Sequence, residues 1–262
     1  MTAHAGNIPA EAAFRRARWP AERLFYTGFT LALITAVVLG FSRTFFLRHW
    51  YPDWARAHGP PETFFYIHGA IFTAWLLLLL AQTSLVATGR VHIHRRLGWL
   101  GATLAVAMVV AGVVASLMAA RRPGGFINVP VPGLQFLTVP LSVIVLFALF
   151  VGLAFATRRR SQYHKRFMLL ATLALAEAGI ARWPFGFMHT PTPVPGISGI
   201  ELCLDLFLVP LIIWDLTTRG RLHRVTLWGG LVILVSQPLR YLISGTGWWL
   251  AFAGWAVSLL PA

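Results

Sequence analysis

Long apolar runs alternate with short polar segments along the whole chain. A helix needs about 20 predominantly apolar residues to cross the hydrocarbon core of a bilayer, and several of the runs approach or exceed this length. The pattern predicts an all-α, polytopic membrane bundle with seven transmembrane helices. The predicted spans are residues 24–41, 62–87, 97–120, 134–156, 167–183, 199–216 and 225–244.

Two segments flank this predicted transmembrane domain of residues 24–244. Residues 1–23 carry four Arg beside apolar side chains, which predicts an N-terminal segment at the cytoplasmic membrane interface. Residues 245–262 are rich in Trp but too few to span comfortably, so we expect an interfacial or re-entrant segment there.

Composition supports a membrane protein, because 57% of the residues are hydrophobic and only 11% are charged. In soluble globular chains the charged share is about a quarter. The net charge of +14 does not indicate nucleic-acid binding, since 15 of the 22 Lys and Arg residues lie at the N-terminus or in three short loops, residues 87–96, 157–166 and 217–224. Basic loops mark the cytoplasmic side. We therefore expect a bacterial inner (cytoplasmic) membrane protein with a cytoplasmic N-terminus, whose partners are the lipid bilayer and either a second copy or a membrane-complex subunit.

The three basic loops also resemble one another. They read GRVHIHRRLGWLG, RSQYHKRFMLLA and GRLHRVTLWGG, and each places a His beside Arg or Lys just before a span that runs outward. Internal repeats in membrane proteins often frame a central site. The pattern predicts three related helical hairpins after the first helix.

Ionisable residues inside spans are costly and are often functional. Several fall at one depth in the outer half of the predicted bundle. Glu201 and Asp205 are spaced i, i+4, which places both carboxylates on one helix face. The predicted outer cluster that binds a ligand or a metal consists of His68, Glu177, Arg182, His189, Glu201 and Asp205.

A purely structural interpretation of the same residues stays open. Arg182 would then pair with Glu201 or Asp205 and join two helices, while Glu177 has no obvious Arg on its own helix face. Three acids against one Arg leave acid in surplus, which suits a cation or a proton. Asp215 is expected to pair with Arg219, four residues further along the helix.

The histidines of the basic loops have two interpretations. His92, His94, His164 and His223 either bind a metal or haem iron, or anchor the loops at the lipid headgroups.

Three stretches carry a resemblance to known proteins. FYIHGAIFTAWLLLLLAQTSLVATGRVHIHRRLGW, HKRFMLLATLALAEAGIARWPF and DLFLVPLIIWDLTTRGRLHRVTLWGG resemble a bacterial family of uncharacterised multi-pass membrane proteins. The order of a His within a span followed by a loop ending in HRRLG is also similar to diheme cytochromes b of the ascorbate-reducible type. That similarity implies His68, His94 and His164 as candidate haem ligands. The fourth span contains no His, and His189 is the only candidate partner for His68.

Three functions remain open at this point. The first is a redox-related membrane protein that binds haem b or a metal ion. The second is an accessory subunit without its own catalysis. The third is a zinc-dependent intramembrane hydrolase or a proton-coupled transporter, so whether the protein is an enzyme is undecided.

Overall fold

A computed structural model describes residues 10–58, 62–127, 129–189 and 192–261, with side chains from Ala21 onward and without the side chains of His58 and His189. The described residues form helices and no β-strand, which confirms the all-α class. The α-helices are α1 Ala10–Phe41, α2 Pro52–His58, α3 Thr63–Ala87, α4 Val91–Arg121, α5 Gly133–Phe136, α6 Thr138–Ala156, α7 Ser161–Ile180, α8 Gly199–Leu206, α9 Leu208–Arg219, α10 Arg224–Ser244 and α11 Gly247–Ser258.

Five helical segments in the described part of the chain are long and apolar enough to cross a membrane. They are Ala21–Phe46, Thr63–Ala87, Val91–Arg121, Gly133–Ala156 and Arg224–Ser244. The prediction of a multi-pass helical membrane protein is therefore confirmed in this coarser form. The predicted fifth and sixth spans correspond to α7 and to α8 with α9, which are not among these five, so the count of seven and the three-hairpin plan stay predictions.

Two helices are interrupted three residues before a proline. The break at Leu137 separates α5 from α6 ahead of Pro140, and the break at Phe207 separates α8 from α9 ahead of Pro210. Proline lacks the backbone N–H that would bond to the carbonyl four residues earlier, and its ring clashes with that carbonyl. Residues 199–216, predicted as one span, therefore form two consecutive helices.

The helices also begin earlier than the loop pattern predicts. The turn after α3 is short, and α4 already starts at Val91, while α7 starts at Ser161. His94 and His164 therefore lie in the first turns of these two helices rather than in loops. At the chain's start, α1 is one continuous helix of 32 residues from Ala10.

Helix α7 lies at the centre of the bundle and packs against α1, α6, α8 and α10. Most of its residues are buried. Its contact with α1 is very close, since a Cβ added to Gly40 would lie 1.9 Å from the carbonyl oxygen of Gly179. The indole Nε1 of Trp183 donates to the carbonyl of Ala36 at 2.9 Å and joins the same two helices.

The C-terminal helix α11 has 12 residues, or about 18 Å at a rise of about 1.5 Å per residue, which is too short to cross a bilayer. It packs against α4 and α5, and Trp249 Nε1 donates to the carbonyl of Leu134 at 2.9 Å.

Candidate functional site

The starts of α4, α7 and α10 and the end of α3 meet at one end of the bundle, called the basic end below. Arg23 of α1 donates to the carbonyl of Ala87 at 3.0 Å, and Lys165 of α7 forms an ion pair with Glu22 of α1. The rings of Tyr163 and His223 lie 4.7 Å apart and join α7 to the start of α10. The three basic loops therefore lie together.

Two histidines face each other at the basic end. The ring of His94, in the first turn of α4, lies 6.2 Å from the ring of His164, in the first turn of α7, measured between centroids. The two ring planes are inclined at 80°. Both rings are partly buried.

Neighbouring groups hold the Nδ1 atom of each ring. His164 Nδ1 lies 2.9 Å from the carbonyl oxygen of Ala154, so this nitrogen carries the proton and Nε2 keeps its lone pair. The Gln82 amide nitrogen donates to His94 Nδ1 at 2.6 Å, so the proton of this neutral ring is on Nε2. No hydrogen bond among the described residues uses the Nε2 atom of either ring.

His164 is in the tautomer that can bind a metal through Nε2, and His94 would take the same tautomer if the Gln82 amide turned its oxygen toward Nδ1. A metal-binding His usually has its second ring nitrogen fixed by a carbonyl or carboxylate. Two imidazoles that bind one metal through Nε2 have centroids about 6 Å apart, because each metal–nitrogen bond is about 2 Å long. The observed separation of 6.2 Å matches that spacing.

The other histidines of the basic end differ from this pair. His92 is exposed. His223 lies at the N-terminus of α10, where its Nδ1 accepts from the Val225 N–H at 3.1 Å. Burial, followed by the nearby cations Arg166 and Arg219, lowers the pKa of His223 to about 4. His223 is therefore neutral and serves as a helix cap.

Beside His223 lies a buried ion pair between Arg166 of α7 and Asp215 of α9. Asp215 Oδ2 also accepts from the Thr226 hydroxyl at 2.6 Å and from the His223 N–H at 3.0 Å. The predicted pairing of Asp215 with Arg219 is therefore wrong. The cation that pairs with Asp215 is therefore Arg166 of the neighbouring helix α7, and not Arg219 of its own helix.

At the opposite end, α7, α8 and α10 bring together Glu177, Glu201, Asp205, Gln237 and Arg240, called the carboxylate cluster below. Arg240 binds Glu177 through both nitrogens, with Nη2–Oε1 2.8 Å and Nη1–Oε2 2.9 Å. Arg240 Nη2 also lies 3.3 Å from Glu201 Oε1. The Arg240 side chain is only 5% exposed, so these charges are paired away from water.

The remaining cluster members have simple partners. Glu201 Oε2 accepts from the backbone N–H of Ser198 at 2.7 Å and from its hydroxyl at 2.6 Å, which completes a capping box at the start of α8. Gln237 Nε2 donates to Asp205 Oδ1 at 2.8 Å and joins α10 to α8.

The structure therefore brings together three of the six residues predicted for the outer cluster: Glu177, Glu201 and Asp205. His68 packs against the ring of Phe72 at 4.4 Å, and Arg182 stacks over Phe41 at 4.5 Å. The predicted pairing of Arg182 with Glu201 or Asp205 is wrong, because Arg240 takes that role. The side chain of His189 lies outside the described residues. No group of three or more His, Cys, Asp or Glu among the described residues is placed to hold a metal ion.

Sequence reasoning missed Arg240, and with it the partner of Glu177. The signal was present, because Arg240 is an arginine inside an apolar span and such a residue needs a buried acid. It lies three residues after Gln237, on the same helix face.

No protein-family model, curated protein or solved structure matches the chain. The fold defines a multi-pass helical membrane protein with two polar sites, the His94–His164 pair and the carboxylate cluster.

Proposed function

We propose that this protein binds haem b between His94 and His164 and has a redox-related role in the membrane. The observation that supports this most strongly is the pair of imidazoles with centroids 6.2 Å apart, in which His164 has its Nδ1 bonded to the Ala154 carbonyl and its Nε2 lone pair free. Haem supplies one-electron chemistry when bound. His94 and His164 would hold the haem iron, and the Ala154 carbonyl would keep the His164 ring in the tautomer that binds through Nε2.

The surroundings also suit haem. Arg95 and Arg96 follow His94 in α4 and are exposed, so cations that can face two propionates are near the pair. A catalytic zinc site needs three protein ligands. The pair offers two, and the described residues contain no group of three, so the geometry gives the hydrolase hypothesis no support.

The proposed topology has seven spans with the N-terminus in the cytoplasm, which places the haem near the cytoplasmic face of a bacterial inner membrane. The charges of α7 support its assignment as a span, because Arg166 and Glu177 are both paired inside the bundle and are hidden from lipid. The clustering of basic loops at one end supports the orientation.

The experiment is a haem titration of purified protein in mild detergent, read by visible absorption. We expect the reduced wild type to show the sharp bands of a six-coordinate haem b. His94→Ala and His164→Ala should each abolish that spectrum, whereas the control His92→Ala, only two residues from His94 and exposed, should retain it. A flat wild-type spectrum, or equal spectra for all three variants, would contradict the proposal.

A further inference from the structure

The carboxylate cluster holds more acid than its cation can neutralise. Both oxygens of Glu177 bind Arg240, and Glu201 divides its oxygens between Arg240 and Ser198. Asp205 has no ion pair among the described residues, and its described partner is the amide of Gln237. The third carboxylate is therefore the one without a counter-charge.

Gln237 provides an independent sign that something is bound here. Its side chain is 1% exposed, and its Oε1 has no hydrogen-bond partner among the described residues. The Nε2 of the same amide donates to Asp205 Oδ1, so the unpaired oxygen lies beside the carboxylate. Buried amide oxygens are nearly always hydrogen-bonded, and an ionised carboxylate has no hydrogen to donate.

A single proton on Asp205 satisfies both groups. A carboxylic acid and a primary amide can form two antiparallel hydrogen bonds in one ring, with the amide N–H donating to the carbonyl oxygen and the acid O–H donating to the amide oxygen. The first of these bonds is present, at 2.8 Å. The second needs only a proton on Oδ2, which no described hydrogen bond uses.

We propose that Asp205 and Gln237 form a proton-binding site in which Asp205 Oδ2–H donates to Gln237 Oε1. The proton comes from water and returns to it, because Asp205 is only partly buried. The charged groups that face Asp205 are Glu201 on its own helix, Glu177 on α7 and Arg240 on α10. Binding reduces the surplus of two negative charges in the cluster to one.

The site does not depend on haem, since it lies at the other end of the bundle from His94 and His164. It also does not need a metal, because the described carboxylates are not arranged around a common point. A proton needs no further ligands and would satisfy the unpaired Oε1 of Gln237.

Infrared spectroscopy of the full-length protein in detergent tests the proposal. At neutral pH the wild type should show the C=O stretch of a protonated carboxyl group, with a downshift in D2O. Asp205→Asn keeps the shape of the pair and should lose the band, whereas the control Glu62→Gln, at an exposed acid paired with Arg122, should keep it. Melting temperatures near that of the wild type establish that both variants are folded.

A second variant separates the ring from the acid alone. Gln237→Met leaves Asp205 in place and removes both hydrogen bonds of the ring, so the carboxyl C=O stretch should move to a higher frequency than in the wild type. Absence of the band in the wild type, its persistence in Asp205→Asn, or an unchanged band frequency in Gln237→Met would each overturn the proposal.

Discussion

Replacing Arg240 by Met should destabilise the protein strongly. The change removes the cation from between Glu177 and Glu201, whose side chains are only 8% and 13% exposed. Breaking a buried ion pair by removing one partner costs about 3–5 kcal/mol, because the remaining charge is left unpaired. Glu177 loses two hydrogen bonds of 2.8 and 2.9 Å, so we expect a loss within that range.

The assay is reversible unfolding in mixed micelles with a rising fraction of SDS, followed by Trp fluorescence. The matched control is Arg224→Met at the exposed start of the same helix, which should change the free energy of unfolding by less than about 0.5 kcal/mol. The double variant Arg240→Met with Glu177→Leu should recover most of the loss, since apolar replacement of a buried pair is often neutral. A loss for Arg240→Met no larger than for Arg224→Met would refute the reasoning.

Three further predictions follow from single contacts. Gly40→Ala should lower the melting temperature sharply, because its Cβ would lie 1.9 Å from the carbonyl oxygen of Gly179. The control Gly28→Ala on the same helix has nothing within 4 Å of the added Cβ and should be neutral or slightly stabilising. Equal melting temperatures of the two variants would contradict the close contact between α1 and α7. Arg166→Met should reduce the free energy of unfolding more than Arg182→Met, since Arg166 has a buried ion pair with Asp215, whereas Arg182 stacks on Phe41 and donates to the carbonyl of Ala178. The reverse order in SDS unfolding would count against the pairing. His223 has a folded-state pKa of about 4 against an ordinary value of 6.5, so the unfolded chain binds the extra proton, and stability should fall as the pH drops from about 6.5 to about 4. His223→Asn keeps a capping acceptor and should show a smaller decrease over that range in pH-dependent melting; an unchanged slope would contradict this role.

Much of the fold follows from the sequence, because long apolar runs leave helices as the main way to satisfy the backbone in lipid. The shared depth of Glu177, Glu201 and Asp205 in the bundle could also be predicted, since the position of a residue along a span fixes its depth in the membrane. Their meeting at one end of the bundle agrees with that reasoning.

The choice of partners could not be predicted in the same way. Which side of a helix faces the bundle depends on its rotation about its own axis, and helices such as α6 are apolar all round, so periodicity carries little information. For this reason Arg182, just after α7, was a plausible partner for Glu201 or Asp205, although Arg240 on α10 is the cation that pairs with Glu201. The facing of His94 and His164 likewise depends on how α4 and α7 pack.

The most direct measurement is the low-temperature EPR spectrum of the oxidised protein, purified in mild detergent after expression with added haem precursor. With haem iron held by His94 and His164, the oxidised protein should give a low-spin ferric signal, because two imidazole nitrogens would complete six-coordination of the iron. Loss of this signal in His94→Ala and in His164→Ala, but not in His92→Ala, would establish the pair as the ligands. A wild-type sample with no low-spin ferric signal would contradict haem binding at this site.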